Sequence, residues 1–185
     1  MGVHVRASTF FVTNQYPGYQ DLIKKAYKAG HAIGIQSWSI DYEQIYQSDE
    51  AYFEDLEKMQ EIVEKQTGER TRLIRFAGGS SNTISRNYSE GIMTRLALKV
   101  QQEGYTYFDW NVLSGDAGET TNSKKIAQNI EEGIAYYHTS VVLCHDTHEY
   151  TVDAIEELLK TVSEQGYTFA ALEPDSYPAH HPINN

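Results

Sequence analysis

Apolar and polar positions alternate along the chain in two kinds of block, short β-branched or aromatic runs and longer amphipathic repeats. The short runs predict strands, which are ASTFFVT, HAIGIQS, TRLIRFA, YTYFDWNV, SVVLCHD and YTFAAL. The longer repeats predict helices, which are YQDLIKKAYKAG, SDEAYFEDLEKMQEIVEKQTG, SEGIMTRLALKVQQEG, SKKIAQNIEEGIAYY and TVDAIEELLKTVSEQG. Repeated strand–helix units predict a parallel sheet covered by helices, either an α/β barrel or a doubly wound sheet.

Three of the predicted helices end in a glycine before a strand, at Gly30, Gly68 and Gly104. Glycine is the residue most often found at the left-handed stop of a helix. These positions therefore support the predicted helix ends.

Composition narrows the class of protein. The 185 residues are 40% hydrophobic, which predicts one domain over residues 1–185. The 26 acidic residues against 15 basic ones give a formal charge of −11, which argues against nucleic acid as a partner. The 14 tyrosines suit a carbohydrate or peptide surface, and they equally suit a core with polar edges.

Two features that the sequence lacks, a membrane span and a signal peptide, bear on the location of the protein in the cell. No apolar stretch approaches the roughly 20 residues of a membrane span, and MGVHVRAS lacks the apolar region of a signal peptide. We therefore expect no span and no export signal within this sequence, and its localisation stays open. The lone Cys144 lies in the apolar run VVLCHD, where packing is expected rather than nucleophilic chemistry.

Polar side chains collect at the carboxyl ends of the predicted strands. In open α/β sheets and barrels, ligands bind at that end, because the loops there converge. The sequence therefore predicts one cleft, bordered by Gln36, Ser37, Arg75, Asp109, His145 and Asp146. Taken alone, His145 is better explained as a hydrogen-bonded core residue.

Three segments in this order on successive strands are more specific, namely IRFAGGSSN (74–82), FDWNVLSGDA (108–117) and VVLCHDT (141–147). With them the chain resembles the polysaccharide deacetylases, the carbohydrate esterase family that removes N-acetyl or O-acetyl groups from chitin, peptidoglycan and xylan. The resemblance runs from ASTFFVT to YTFAALEPDSYPAHH. It implies a distorted parallel (β/α) barrel with a divalent metal, usually zinc, held by one aspartate and two histidines.

The resemblance also assigns catalytic roles. Arg75 matches the arginine that orients the catalytic base, Asp109 the carboxylate that holds the acid histidine, and His145 the general acid itself. The metal of the family polarises the acetyl carbonyl and activates a water. An aspartate base takes the proton of that water, and the histidine protonates the leaving amine.

Other positions match the walls of the family's groove. The turn Gly78–Gly79–Ser80 corresponds to the loop beside the substrate, Trp110 to a hydrophobic neighbour, and Leu143 to the residue lining the acetyl pocket. Family members usually carry proline where this chain has Ala77.

The chain departs from the family pattern at the metal ligands. The family's stretch reads like GHAIGxHSWSH, and its two histidine positions hold Gln36 and Ile40 here. Isoleucine cannot bind a metal, and a glutamine carbonyl is a poor substitute for imidazole around zinc. We therefore predict no metal cofactor for this chain, although zinc or another divalent metal serves the family.

A second departure concerns the family's first motif, which resembles TFDDG and lies upstream of the segment that matches ASTFFV. Only MGVHVR precedes that segment here. We therefore expect the base and the aspartate ligand to be missing and the barrel to be incomplete at its N-terminal strand. STFFVT is then expected to form an exposed edge, so that the chain either self-associates through this edge or is only marginally stable.

We do not expect any of four other histidines to replace the missing metal ligands, namely His31, His148, His180 and His181. His31 opens a strand at the end opposite the cleft and is expected to be a structural turn residue. His148, His180 and His181 are expected in exposed loops without a carboxylate cluster.

The sequence supports three hypotheses about function. The first is a deacetylase homologue whose catalysis is lost or severely impaired. The second is a non-catalytic glycan-binding module, with Trp38, Trp110 and tyrosines stacking on sugar rings. The third is a fragment or altered form of an active deacetylase. In each, the expected partner is an acetylated glycan of the peptidoglycan, chitin or xylan type, and family members are commonly secreted or membrane-anchored.

Overall fold

A computed structural model of the chain describes residues 8–184. The strands are β1 Thr9–Thr13, β2 Ala32–Ser37, β3 Leu73–Ile74, β4 Thr106–Tyr107, β5 Val112–Leu113 and β6 Val142–Leu143. The helices are α1 Asp21–Lys28, α2 Tyr42–Ile45, α3 Asp49–Thr67, α4 Ile92–Gln102, α5 Ser123–Tyr136 and α6 Glu149–Glu164. None of these helices combines the length and hydropathy of a membrane span.

The strands form two parallel sheets, one in the order β1-β2-β3-β4 and one of β5 with β6. The predicted α/β class with parallel strands is therefore confirmed. Within residues 8–184, β1 is an edge strand that pairs with β2. Self-association through that edge stays a prediction, and the expected gap in the barrel concerns residues before the described ones.

Contacts within the described residues divide into two compact units. The larger unit comprises residues 8–109 and 170–184, and the smaller unit comprises residues 110–169. The single domain expected over 1–185 stays a prediction.

The helix α3 shows how the sequence builds the larger unit. Its first turn is capped by Ser48, whose side chain accepts a hydrogen bond from the Ala51 N–H at 3.1 Å. It ends at Gly68 in the left-handed conformation, with φ of 85°. Between these caps, Tyr52, Leu56, Met59, Val63 and further buried residues face the core of this unit, which also contains strand residues such as Ile33, Ile35 and Ile74.

Two helices and two strands make the core of the smaller unit. Ile126, Ile130 and Ile134 of α5 pack with Ala154, Leu158 and Val162 of α6 and with Val112 of β5. Gly133 permits the close approach of α5 to β5, because a Cβ at this position would lie 2.5 Å from Val112 Cγ1.

Two strand predictions are wrong. The run YTYFDWNV is not one strand, because it separates into β4 and β5 with irregular backbone at 108–111. The run YTFAAL, residues 167–172, is irregular, and Tyr167 and Phe169 are each 37% exposed. A strand requires a neighbour to complete its ladder, and the Leu172 N–H instead donates to the Thr9 hydroxyl at 2.8 Å.

Candidate functional site

The smaller unit contains a buried carboxylate paired with a histidine. Asp116 follows β5, is 2% exposed, and its Oδ1 lies 2.8 Å from His145 Nδ1. The backbone N–H of His145 donates to Asp116 Oδ2 at 2.6 Å. The Thr151 hydroxyl in the first turn of α6 donates to the same oxygen at 2.9 Å. His145 is therefore held by Asp116, and Thr151 donates a further hydrogen bond to that carboxylate.

The surroundings of Asp116 favour its ionised form. Burial alone raises its pKa, but hydrogen bonds from the ring and backbone of His145, from Ser114 and from Thr151 outweigh that effect. The pKa of Asp116 consequently lies below the ordinary value of 3.8. An ionised carboxylate at Nδ1 favours the tautomer of His145 that carries its proton on Nδ1.

The predicted pairing of Asp109 with His145 is wrong. Asp109 precedes β5, whereas Asp116 and His145 follow the carboxyl ends of β5 and β6, which pair in parallel as Val112 with Val142 and Leu113 with Leu143. The carboxyl ends of parallel strands share one edge of the sheet, so that edge brings Asp116 to His145. The motif FDWNVLSGDA contains both aspartates. The break between β4 and β5 in the structure distinguishes Asp109, which lies before β5, from Asp116, which lies after it.

Asp109 has a different environment in the larger unit. Its carboxylate accepts hydrogen bonds from the backbone N–H and the hydroxyl of Ser80. It also accepts one from the backbone N–H of His181 at 2.9 Å. Asp109 therefore joins the glycine turn to a segment near the end of the chain.

The turn Gly78–Gly79–Ser80 is also held from a second side. Tyr46 donates a hydrogen bond to the Ala77 carbonyl at 2.8 Å. Gly78 has a φ of 78°, and a Cβ there would lie 2.5 Å from the Tyr42 hydroxyl oxygen. Glycine is thus required at position 78 by both its conformation and its neighbour.

Arg75 follows β3 in the same unit. Its backbone N–H donates to the Ile35 carbonyl at 2.8 Å, and its guanidinium lies 4.3 Å from the centre of the Phe11 ring. The arginine is therefore placed over β1 by a cation–π contact, and its predicted role towards a catalytic base stays a prediction.

Of the two positions that match metal ligands in the family, Gln36 lies in β2 and Ile40 lies in the loop that follows. Asp55 of α3 accepts hydrogen bonds from the Ser37 hydroxyl and the backbone N–H groups of Trp38 and Ser39, each at 2.8 Å. The Ile40 N–H donates to the Ser37 hydroxyl at 2.8 Å. Sequence reasoning missed Asp55, although a carboxylate on the buried face of α3 was a signal.

These residues do not fit the zinc site of the family. Ile40 has an aliphatic side chain, and Gln36 offers a neutral amide. Within residues 8–184, no group of three or more histidine, cysteine, aspartate or glutamate side chains is close enough together to hold a metal ion.

The structure also describes four other residues discussed in the sequence analysis, namely Leu143, Trp110, His148 and His31. Leu143 lies in β6 and is half-buried, as is Trp110. His148 stacks on Tyr150 with 4.9 Å between ring centres. The ring of His31 packs edge-on against Phe10, in keeping with a structural role.

The expectation of an exposed loop position near the end of the chain is met by His180 and is wrong for His181. His181 is half-buried, bonds Asp109 through its backbone, and has its Nδ1 3.1 Å from the Ser81 hydroxyl oxygen. His180 is exposed, but its Nε2 lies 2.9 Å from the Tyr107 carbonyl oxygen and its ring stacks on that of Tyr107.

Comparison with known proteins identifies the family. Residues 3–95 match the family model of the polysaccharide deacetylases, and the chain belongs to this family. The crystal structure of the catalytic domain of peptidoglycan N-acetylglucosamine deacetylase from Eubacterium rectale is similar, with 46% identity and a TM-score of 0.94 over 96% of this chain and 81% of that one. The fold is therefore of the polysaccharide deacetylase type.

Two further similar proteins also carry the name of a deacetylase. The polysaccharide deacetylase Bc1974 from Bacillus cereus is 28% identical, with a TM-score of 0.76 over 96% of this chain and 84% of that one. A peptidoglycan-N-acetylglucosamine deacetylase of Bacillus cereus is 27% identical over 97% of this chain and 63% of its own length. The chain spans about three-fifths of the length of the first curated relatives it matches.

A first prediction concerns the backbone at Ile40, whose φ of 55° is in the left-handed region. A β-branched residue is disfavoured there by about 1–2 kcal/mol, whereas asparagine tolerates it. Ile40→Asn is therefore expected to raise the free energy of unfolding by about 1 kcal/mol in urea titrations. Ile84→Asn, at a φ of −71°, is the control and should give no gain. An equal gain in both variants would contradict the assignment of strain to Ile40.

A second prediction concerns Thr151. Thr151→Val keeps the shape of the side chain and removes one hydrogen bond to Asp116, so the pKa of Asp116 should rise. Carboxyl ¹³C NMR titration of Asp116 measures this shift. Thr161→Val on the exposed side of the same helix is the control and should leave the titration unchanged. An unchanged Asp116 titration in Thr151→Val would show that the hydroxyl has no electrostatic effect.

Proposed function

We propose that this chain recognises N-acetylated glycan of the peptidoglycan type and does not hydrolyse the acetyl group by the metal-dependent route of its family. The observation that carries the proposal is the combination of two features. The buried Asp116 is paired with His145, while the positions that match the metal ligands hold Gln36 and Ile40.

The retained pair suits recognition of an acetamido group. With its Nδ1 proton directed to Asp116, a neutral His145 has an acceptor at Nε2, and a protonated His145 has a donor there. An amide N–H and an amide carbonyl are the complementary groups. A histidine whose ring is fixed before binding also loses less conformational entropy when a ligand arrives.

Hydrolysis of an acetyl group needs more catalytic groups than Asp116 and His145. A general acid protonates a leaving group, but attack by water also requires a group that turns the water into a nucleophile. In the family this is the task of the metal and the base. Because Gln36 and Ile40 do not fit the metal, we expect acetate release by this chain to be negligible.

A second candidate function is an active deacetylase of which this chain forms part. The 46% identity with a catalytic domain supports it. The chain also spans only about three-fifths of the length of the first curated relatives it matches. The substitutions at positions 36 and 40 stand against it.

The test combines calorimetric titration of the chain with the pentamer of N-acetylglucosamine and an acetate-release assay with added zinc. We expect saturable binding without acetate release, and His145→Ala should weaken binding about tenfold, the effect of one good hydrogen bond. His138→Ala in an exposed loop of the same unit is the control. Absence of binding by the unaltered chain refutes recognition, and zinc-dependent acetate release that His145→Ala abolishes favours the active enzyme.

A further inference from the structure

We propose that Asp109 is a positioning residue for the turn Gly78–Ser81 and that it acts by joining this turn to the C-terminal segment, residues 178–183. The proposal deepens the proposed function, on which its glycan-binding arm rests, because the turn matches the loop beside the substrate in the family. It gives Asp109 a role different from that of a partner for the acid histidine.

The first evidence is the set of hydrogen bonds that the Asp109 carboxylate accepts. Asp109 is completely buried. Ser80 supplies two donors from the turn, its backbone N–H at 2.8 Å from Oδ1 and its hydroxyl to Oδ2. His181 supplies a third from the C-terminal segment, its backbone N–H at 2.9 Å from Oδ2. One buried carboxylate therefore bridges two parts of the chain that are about a hundred residues apart.

The C-terminal segment is anchored on both sides of this bridge. Before it, the Pro178 carbonyl accepts from the Asp109 N–H at 3.1 Å, and Ala179 is 4% exposed. The His180 ring stacks on Tyr107 with 3.8 Å between ring centres. After it, Ile183 packs against the hydrophobic core of the larger unit. The segment is thus a built part of this unit.

A second contact joins the same two parts. The Ser81 hydroxyl oxygen lies 3.1 Å from His181 Nδ1. Ser81 and His181 therefore meet through side chains, next to the bridge that Asp109 makes through Ser80 and the His181 backbone. The turn is bound to the C-terminal segment at two successive residues.

The turn needs such support because it contains two adjacent glycines. Gly78 and Gly79 have φ of 78° and 80°, and glycine has the widest choice of backbone conformations. The Tyr46 hydroxyl fixes the residue before the turn through the Ala77 carbonyl. Asp109 and His181 fix the residues after the glycines. When a ligand requires one conformation of the turn, its intrinsic association constant is multiplied by the fraction of molecules that already adopt that conformation.

The experiment measures amide hydrogen exchange at residues 78–82 together with affinity for the N-acetylglucosamine pentamer. Asp109→Asn replaces one acceptor oxygen by an amide donor that faces the N–H groups of the turn and of His181. Amide exchange in the turn should therefore accelerate at least tenfold, and the affinity for the pentamer should fall about tenfold or more. Exchange in α5 and α6 should not change. Asp175→Asn, exposed near the same segment, is the matched control.

A second set of variants decides the question if Asp109→Asn does not fold. Ser81→Ala and His181→Ala each remove one side of the side-chain contact and should accelerate exchange at residues 80–82 about threefold. The double variant should do no more than either single one. Ser81→Thr keeps the hydroxyl and should restore the exchange rate of the unaltered chain.

The outcomes separate this proposal from the function on which it rests. Unchanged exchange at residues 78–82 in Asp109→Asn, or additive effects of Ser81→Ala and His181→Ala, overturn the positioning role. Faster exchange together with weaker glycan binding supports it. If the unaltered chain binds no glycan, the proposed function fails, while the exchange rates still decide the role of Asp109.

Discussion

Replacing Asp116 by alanine is expected to lower the free energy of unfolding by about 3 kcal/mol, because buried donors that lose a charged acceptor cost about 1–3 kcal/mol each. The Thr151 hydroxyl and the His145 backbone N–H lose their acceptor. The His145 ring contributes less, because its side chain is 42% exposed and can bond to water. Urea unfolding of the whole chain measures the loss.

Two variants sharpen this measurement. Asp116→Asn keeps one acceptor oxygen and should cost less than alanine. Asp146→Asn changes an exposed aspartate next to His145 and should have little effect. Equal stabilities of Asp116→Ala and Asp146→Asn would show that Asp116 does not hold this part of the smaller unit together.

The same residue predicts a dependence on pH. Because the folded-state pKa of Asp116 lies below its ordinary value of 3.8, ionised Asp116 stabilises the folded chain above about that pH. This stabilisation is lost as the pH falls through the lower folded-state pKa. Asp116→Asn lacks the titrating group, so its stability should fall less steeply with acid than that of the unaltered chain.

Replacing Asp55 by alanine is expected to have an effect of similar size, about 3 kcal/mol, since three donors again lose one buried carboxylate. The Ser37 hydroxyl and the N–H groups of Trp38 and Ser39 all bond to it at 2.8 Å. The loop carrying Ile40 should then lose its fixed conformation, because its N–H bonds to Ser37.

Thermal and urea unfolding measure the loss in stability, and amide exchange at residues 38–40 reports on the loop. Glu54→Ala is the matched control, one position earlier on α3 with an exposed side chain, and should cost little. A loop that exchanges at the same rate in Asp55→Ala and in the unaltered chain would contradict the role given to Asp55.

The sequence predicted the helices and most strands because their periodicities are local. It failed at residues 167–172, because apolar alternation identifies a strand-like segment but not the neighbour with which it must pair. It also joined β4 to β5. The choice of Asp109 over Asp116 came from matching the family motif to FDWNVLSGDA, which contains both aspartates.

Thr151 and Asp55, which support the Asp116–His145 pair and the loop after β2 respectively, were harder to predict than His145. Thr151 is 35 residues from Asp116, and Asp55 is 17 residues from Trp38, so no local pattern connects them. One signal was available, because Asp55 lies among the buried residues Tyr52, Leu56 and Met59 of α3. A carboxylate on an apolar helix face needs donors in the fold.

The central claim is that Gln36 and Ile40 leave this chain without the metal site of its family. The most direct test is elemental analysis of the purified chain after dialysis first against zinc and then against zinc-free buffer. We expect far less than one zinc ion per chain, since even changes around the ligands of a metal site weaken its affinity about 10–100-fold. One tightly held zinc ion per chain would contradict it.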